Sequence, residues 1–259
     1  MQEWSVFPHL GDYPFNASSV GKSWSRLHGG DMEPAPSDPK VLHAWALFHH
    51  GEFRKSVNAG LQAGGDGITV ANKATSVYAN GLETRESVRL ELFWQVAERA
   101  AAQAAMDPGN ANAWYWQAYA LGRYSQGISV TLALAQGLGS RVRRALEKTI
   151  QLQPRHADAH IALGAFHAEV IDKVGTLIGA MTYGANKEAG MKLYQDALRL
   201  NPRSAVAMVE YANALVMMDG ERRSDEASGW YRKAAACEPA DASERLDVEM
   251  ARAEIARRW

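Results

Sequence analysis

A short phrase built on proline recurs along this chain. Asp107-Pro108-Gly109-Asn110-Ala111-Asn112-Ala113-Trp114 is followed by Pro154-Arg155-His156-Ala157-Asp158-Ala159-His160. Asn201-Pro202-Arg203-Ser204-Ala205-Val206-Ala207-Met208 is the third copy, and Glu238-Pro239-Ala240-Asp241-Ala242 is a partial fourth. The prolines stand 46, 48 and 37 residues apart, and a helical-looking run precedes each. Recurrence of this kind means one supersecondary unit repeated. Such a unit buries its apolar face only against its neighbour, so the result is a stacked array and not a single closed core. An array points to a binding scaffold before it points to an enzyme.

Composition narrows the partners. The formal net charge is −1, which gives no electrostatic case for nucleic acid or an anionic membrane surface. Hydrophobic residues make up 47% of 259, ample for a packed interior. A single cysteine, Cys237, excludes an internal disulfide or a cysteine metal cluster and fits a reducing compartment. It reads as a small core residue at a helix end. The longest uncharged run, 124–140, holds Ser125, Gln126, Ser129, Thr131 and Gln136. It falls short of the roughly 20 apolar residues of a spanning helix. Residues 1–8 carry neither the basic stretch nor the apolar core of an export leader, so the expected location is cytoplasmic.

Residues 1–37 are rich in Pro, Gly, Ser and aromatics and read as an irregular arm with one short helix, Val20 to His28, bearing Trp24 and Leu27. Asp38-Pro39 then opens a helix as cap and first-turn proline. Val41, Leu42, Trp45 and Phe48 form its stripe, Gly51 breaks it, and Phe53, Val57 and Leu61 begin the next. His49-His50 read as a solvated helix end. Gly64-Gly65-Asp66-Gly67 is a turn, and 68–78 and 88–106 make a further pair.

Beyond residue 108 small and bulky residues alternate at matching positions. The first helix of each unit carries Trp114/Ala118/Leu121, then His160/Gly164/His167, then Met208/Ala212/Leu215. The second carries Val142/Leu146/Thr149, Gly190/Tyr194/Ala197 and Ala227/Tyr231/Ala234. Small residues let helices approach and large ones fill the gap.

This pattern resembles the tetratricopeptide repeat (TPR), a unit of 34 residues running from Trp-x2-Leu-Gly-x2-Tyr to a closing proline. The unit 205–239 matches in length and residue type, and the two before it are longer by 12 and 14 residues. The resemblance is closest over 108–242, weaker over 88–108 and 38–87, and absent from 1–37. It implies an all-α fold: a right-handed α-α superhelix of antiparallel helix pairs over 38–259. Val248, Ala251, Ile255 and Trp259 recur at helical spacing against a charged face, as a C-terminal capping helix over 244–259 requires.

Two inserts lengthen the middle units. Residues 131–139 and 176–184 resemble each other at an offset of 45, and both are apolar, uncharged and punctuated by glycine. They predict a lobe off the solenoid. Elongated repeats of this kind are similar to those of bacterial TPR proteins that partner solute transporters, and to the microtubule-dynamics-regulator group. The inserts' duplication and lack of charge give a second expectation, a pocket between inserts 125–140 and 174–186 for a small apolar or amphipathic ligand handed on to a transporter.

Motifs for chemistry are weak. Ser19-Val20-Gly21-Lys22-Ser23 has the end of a phosphate loop, but position 16 is Asn16 where glycine is needed, and no strand precedes it. His156, His160 and His167 share one helical face, as metal ligands would. His160 and His167, however, fall where other units place Trp114 and Leu121, which favours packing. Carboxylates look scattered on polar faces, and no catalytic triad, metal site or cofactor is indicated.

The resemblance implies a concave groove lined by the first helix of each unit. By repeat position it would hold Asn112, Tyr115, Tyr119 and Arg123; then Asp158, Ile161, Ala165 and Glu169; then Val206, Val209 and Asn213. Tyr115 and Tyr119 make an aromatic platform for a peptide, or else pack against the arm or the inserts. Arg123 and Glu169 hold one position in adjacent repeats and are expected to pair. The expectation is a non-enzymatic scaffold for an unidentified protein or peptide segment, without nucleic acid or membrane span. The apolar inserts are compatible with a homodimer.

Overall fold

The computed structural model describes residues 4–258. Among them are fifteen α-helices and no strand. The arm holds two short helices, α1 (Ala17–Lys22) and α2 (Trp24–Leu27), where one was expected; the chain turns at Ser23, and Trp24 and Leu27 are buried. Helix pairs follow. They are α3 (Pro39–His50) with α4 (Phe53–Ala63), and α5 (Gly67–Gly81) with α6 (Glu86–Met106). In the third unit α7 (Ala111–Gln126) pairs with α9 (Leu138–Leu152), and α8 (Val130–Ala135) lies in the insert. The fourth repeats this as α10 (Ala157–Val174), α11 (Thr176–Tyr183) and α12 (Lys187–Leu200). The series ends with α13 (Ala205–Asp219), α14 (Ser224–Ala235) and the capping helix α15 (Ala242–Arg258).

The recurring phrase has a local cause. In each copy the residue two after proline caps the following helix: Asn110 accepts from the Ala113 N–H (2.9 Å), His156 from Ala159 (3.1 Å) and Ser204 from Ala207 (3.1 Å). Asp241 does the same for Glu244 (2.7 Å). The first three cap residues also donate their own N–H back across the proline, to the carbonyls of Asp107, Gln153 and Asn201. Proline at the second position of such a turn presets its φ. One motif therefore both stops a helix and starts the next.

Within the fourth unit the small and large positions of α10 and α12 interlock. A Cβ on Gly164 would lie 2.9 Å from the Tyr194 ring, and one on Gly190 would lie 3.0 Å from His167. Tyr194, Tyr231, Leu121, Leu146 and Leu215 are fully buried, at about 1.5–3 kcal/mol for each such apolar side chain. His160 and His167 are buried in this packing; Leu61 faces solvent. Val248 and Ala251 of α15 are buried, and Trp259 lies outside the described residues.

The first helices of the units form a continuous series, α3, α5, α7, α10, α13 and α15, each packed on the next. The last also packs on the first: α15 touches α3 and α5. The superhelix is thus closed into a ring. This overturns the reading of His49 as a solvated helix end. His49 is 0% exposed because α15 returns over it, and its Nδ1 lies 2.5 Å from Asp241 Oδ2. His50 is half-buried, with Nδ1 donating to the Tyr13 carbonyl (2.7 Å). Among the described residues no helix is long and apolar enough to cross a membrane.

Candidate functional site

Ring closure carries the arm into the interior. Arg26 forms a double hydrogen bond with Glu244 of α15 (2.5 and 2.8 Å). The Gly30 carbonyl accepts the Asp158 N–H of α10 (3.1 Å). Asn112 of α7 donates to the Asp31 carbonyl (3.1 Å) and to Glu33 (2.6 Å). Residues 26–33 therefore tie three inner helices together. The arm passes close to α10 here: a Cβ on Gly30 would meet Asp158 Oδ1 at 2.5 Å, so the Asp158 side chain would have to turn.

A buried polar chain runs through this crossing. Lys73 Nζ pairs with Asp31 (2.6 Å), Asp31 with His28 Nδ1 (2.9 Å), and the Nε2 atoms of His28 and His49 lie 3.3 Å apart. His49 completes the line to Asp241. Burial opposes the charge on Asp31, but Lys73 and His28 outweigh it, and its carboxyl lies well below the usual range. Lys73 is raised: burial opposes its charge, and Asp31 prevails. Burial wins at His28, pulling it down to about 4 despite Asp31. The pair is thus an ionised Asp–Lys bridge with a neutral histidine beside it.

The space inside the ring is a cavity of about 290 Å³. Tyr115, Tyr119, Arg123, Asp158, Ile161, Ala165, Glu169 and Val206 all line it. Three groove candidates do not. Asn112 is buried in holding the arm, with His156 Nε2 donating to its Oδ1 (2.9 Å); Val209 is in the core; Asn213 accepts from the Tyr231 hydroxyl (2.5 Å). Arg123 pairs with Glu210 of α13 (2.9 Å) and not with Glu169, whose partner is the Gln126 amide (2.5 Å). The expectation of that pair considered adjacent repeats, whereas Arg123 reaches across the ring. Tyr119 stacks under the Arg123 guanidinium (5.3 Å), and Tyr115 faces His156 (4.6 Å) and Trp116 (4.9 Å).

The inserts enter the same cavity. Val130, Ala133, Leu134, Leu138 and Tyr183 form part of its wall, while Leu132, Leu177, Ile178 and Met181 face outward and are exposed. The second insert closes on the third unit through Arg143 of α9, which donates to the Tyr183 carbonyl (2.6 Å). Groove and insert pocket, two alternatives in the sequence, are one space.

The histidine triplet is dispersed. His156 is a cap, His160 Nδ1 donates to the His156 carbonyl (3.0 Å), and His167 Nδ1 accepts the Asn186 N–H (3.2 Å). The carboxylates are the reverse case. Read as scattered, Asp31, Asp158, Asp241, Glu244 and Asp247 converge on the cavity because the arm and α15 fold inward. Within the sequence, the repeat register placed Asp158 on the inner face, and the partial fourth phrase contains Asp241; Asp31, Glu244 and Asp247 gave no such sign.

No family model matches this chain, and no curated protein does. Solved structures do. A thermophilic TPR protein of Thermus thermophilus superposes with a TM-score of 0.58 at 16% identity, covering 83% of this chain and 97% of that one. The human IFIT1 dimer with PPP-AAAA reaches a TM-score of 0.43 at 13% identity, over 93% of this chain and 64% of that one, too low to carry structural weight. With its helix pairs, its interlocking glycines and its recurrent caps, the chain has the fold of a tetratricopeptide-repeat solenoid.

Proposed function

We propose that this protein is a non-enzymatic scaffold that receives a short segment of a partner protein in its central cavity. One observation carries the reading: side chains from successive inner helices, Tyr115, Tyr119, Arg123, Asp158, Ile161 and Glu169, converge on a single space. A cavity of about 290 Å³ is large enough to take a chain end or projecting side chains. Tyr gives large contact area at little entropy cost, which suits a recognition platform.

A second reading has its own support. The apolar wall contributed by the inserts favours a small amphipathic ligand in the same space. Native mass spectrometry of gently purified protein separates the two. A bound polypeptide mass supports the scaffold, and a bound mass of small-molecule size supports the second reading. The scaffold further requires that Tyr119→Ala weaken the captured partner about tenfold or more with helix content unchanged. Undiminished capture by that variant sinks it.

A further inference from the structure

Charge in the cavity is not balanced. Five of its carboxylates have partners: Asp31 has Lys73, Glu210 has Arg123, Asp241 has His49, Glu244 has Arg26, and Glu169 has Gln126. Asp158 and Asp247 line the same space, and neither carboxylate has a hydrogen bond or ion pair among the described residues. Of the lining lysines, Lys73 is paired with Asp31 and Lys173 is exposed at the protein surface. Both residues are half-buried, so each carboxylate is only partly withdrawn from water and has no protein partner to offset that loss. The fold nevertheless keeps two of them on one cavity, on α10 and α15.

A second observation is independent of that pair. Tyr115 is 5% exposed, lines the cavity, and its hydroxyl has no hydrogen-bond partner among the described residues. Trp116, beside it and 4% exposed, leaves its indole N–H without a partner too. The rings of Tyr115, Trp116 and Tyr119 lie 4.9–6.0 Å apart. Aromatic faces attract cations. An anion would meet two more negative charges, and a neutral apolar molecule would leave both carboxylates unpaired. The same cavity wall also carries apolar side chains, Ala133, Leu138, Val142, Phe166 and Val170 among them.

Building on the reading of this cavity as a binding site, we infer that it selects a primary ammonium carried on an apolar stem, held by Asp158, Asp247 and the Tyr115 hydroxyl. An ammonium has three donors and no acceptor, which matches two carboxylates and one phenol oxygen. A stem of several methylenes then lies along the apolar wall. The burial that raises both carboxyls above their ordinary range is relieved when a cation arrives. The same chemistry is offered by a free alkylamine and by a lysine side chain of a partner segment.

The test is calorimetric titration of the full chain at pH 8 with hexylammonium, hexanol and hexanoate, equal in length and different in charge. Hexylammonium is expected to bind at least tenfold tighter than hexanol, with hexanoate weakest. The double variant Asp158→Asn/Asp247→Asn is expected to lose that preference while keeping its affinity for hexanol, which also reports that it is folded. Equal binding of hexylammonium and hexanol, or a preference that survives the double variant, overturns the inference and leaves the cavity standing as a binding site. Failure of all three probes overturns the inference, and the scaffold reading is decided separately by partner capture with Tyr119→Ala. A blocked Leu-Lys-Leu peptide that competes with hexylammonium assigns the cation to a protein side chain. Competition confined to free amines supports the inference and assigns the ligand to a small molecule.

Discussion

Asp158 lies in the first turn of α10, where the helix end favours a negative charge. Burial wins: it raises the carboxyl to about 7, with Asp31 and Glu244 adding to the rise and Lys73 opposing it. The folded chain therefore holds this proton more tightly than the unfolded chain does. The stability that follows is complete below the unfolded value of 3.8 and is lost as pH rises through about 7. Asp158→Asn should thus stabilise the protein at pH 8, by roughly 1–2 kcal/mol after allowing for water in the cavity, and change little near pH 3.5. Urea unfolding of both forms at the two pH values checks it, and equal midpoints at pH 8 would refute the assignment. His28 and His156 act with the opposite sign. Burial pulls each from 6.5 to about 4, so their contribution falls as pH drops through that window. The wild-type profile mixes both signs, and the difference between variant and wild type isolates Asp158. None of this was legible in Asp158 as a letter, because the pKa is set by neighbours from the arm and from α15.

Helices in this chain are placed by a few close approaches. A Cβ on Gly60 would lie 2.5 Å from the Gly67 carbonyl oxygen, a backbone atom that cannot move aside without opening the α4–α5 pair. Gly60→Ala is expected to destabilise the fold by about 2 kcal/mol, although alanine is the better helix former. A thermal midpoint at or above wild type would contradict that contact. Ser204 supplies a cap, and Ser204→Ala should cost about 1 kcal/mol in the same measurement. The cap was readable in outline, because the Pro-containing phrase repeats and its chemistry is complete within a few residues. The α4–α5 approach was not, since Gly60 and Gly67 look like ordinary turn-flanking glycines until the helices they belong to are packed.

At the scale of the molecule, the ring is held where its ends meet. His49 and Asp241 are 192 residues apart and both buried. Asp241 uses one oxygen on His49 and the other to cap α15. Arg26–Glu244 and His9–Glu249 reinforce the seam. Removing one member of a buried pair leaves the other without a partner, so Asp241→Ala is expected to cost about 3–5 kcal/mol. Amide exchange should speed up in both α3 and α15, at opposite ends of the chain, and not in α9 or α12. Protection unchanged in α3 would mean that the seam does not close the ring.

Helix pairs, their order, their interlocking small and large residues and the capping helix were visible in the letters. Each depends on partners within one turn or within one repeat, and a period repeats that information several times over. Eight of the residues that the resemblance placed on the inner helices line the cavity. The arm's passage through the interior, the gathering of the carboxylates and the burial of His49 did not. They join residues up to 240 positions apart, as His9 and Glu249 are, and depend on the curvature that the repeats add up to. That sum decides whether the last helix meets the first, and no window of sequence contains it.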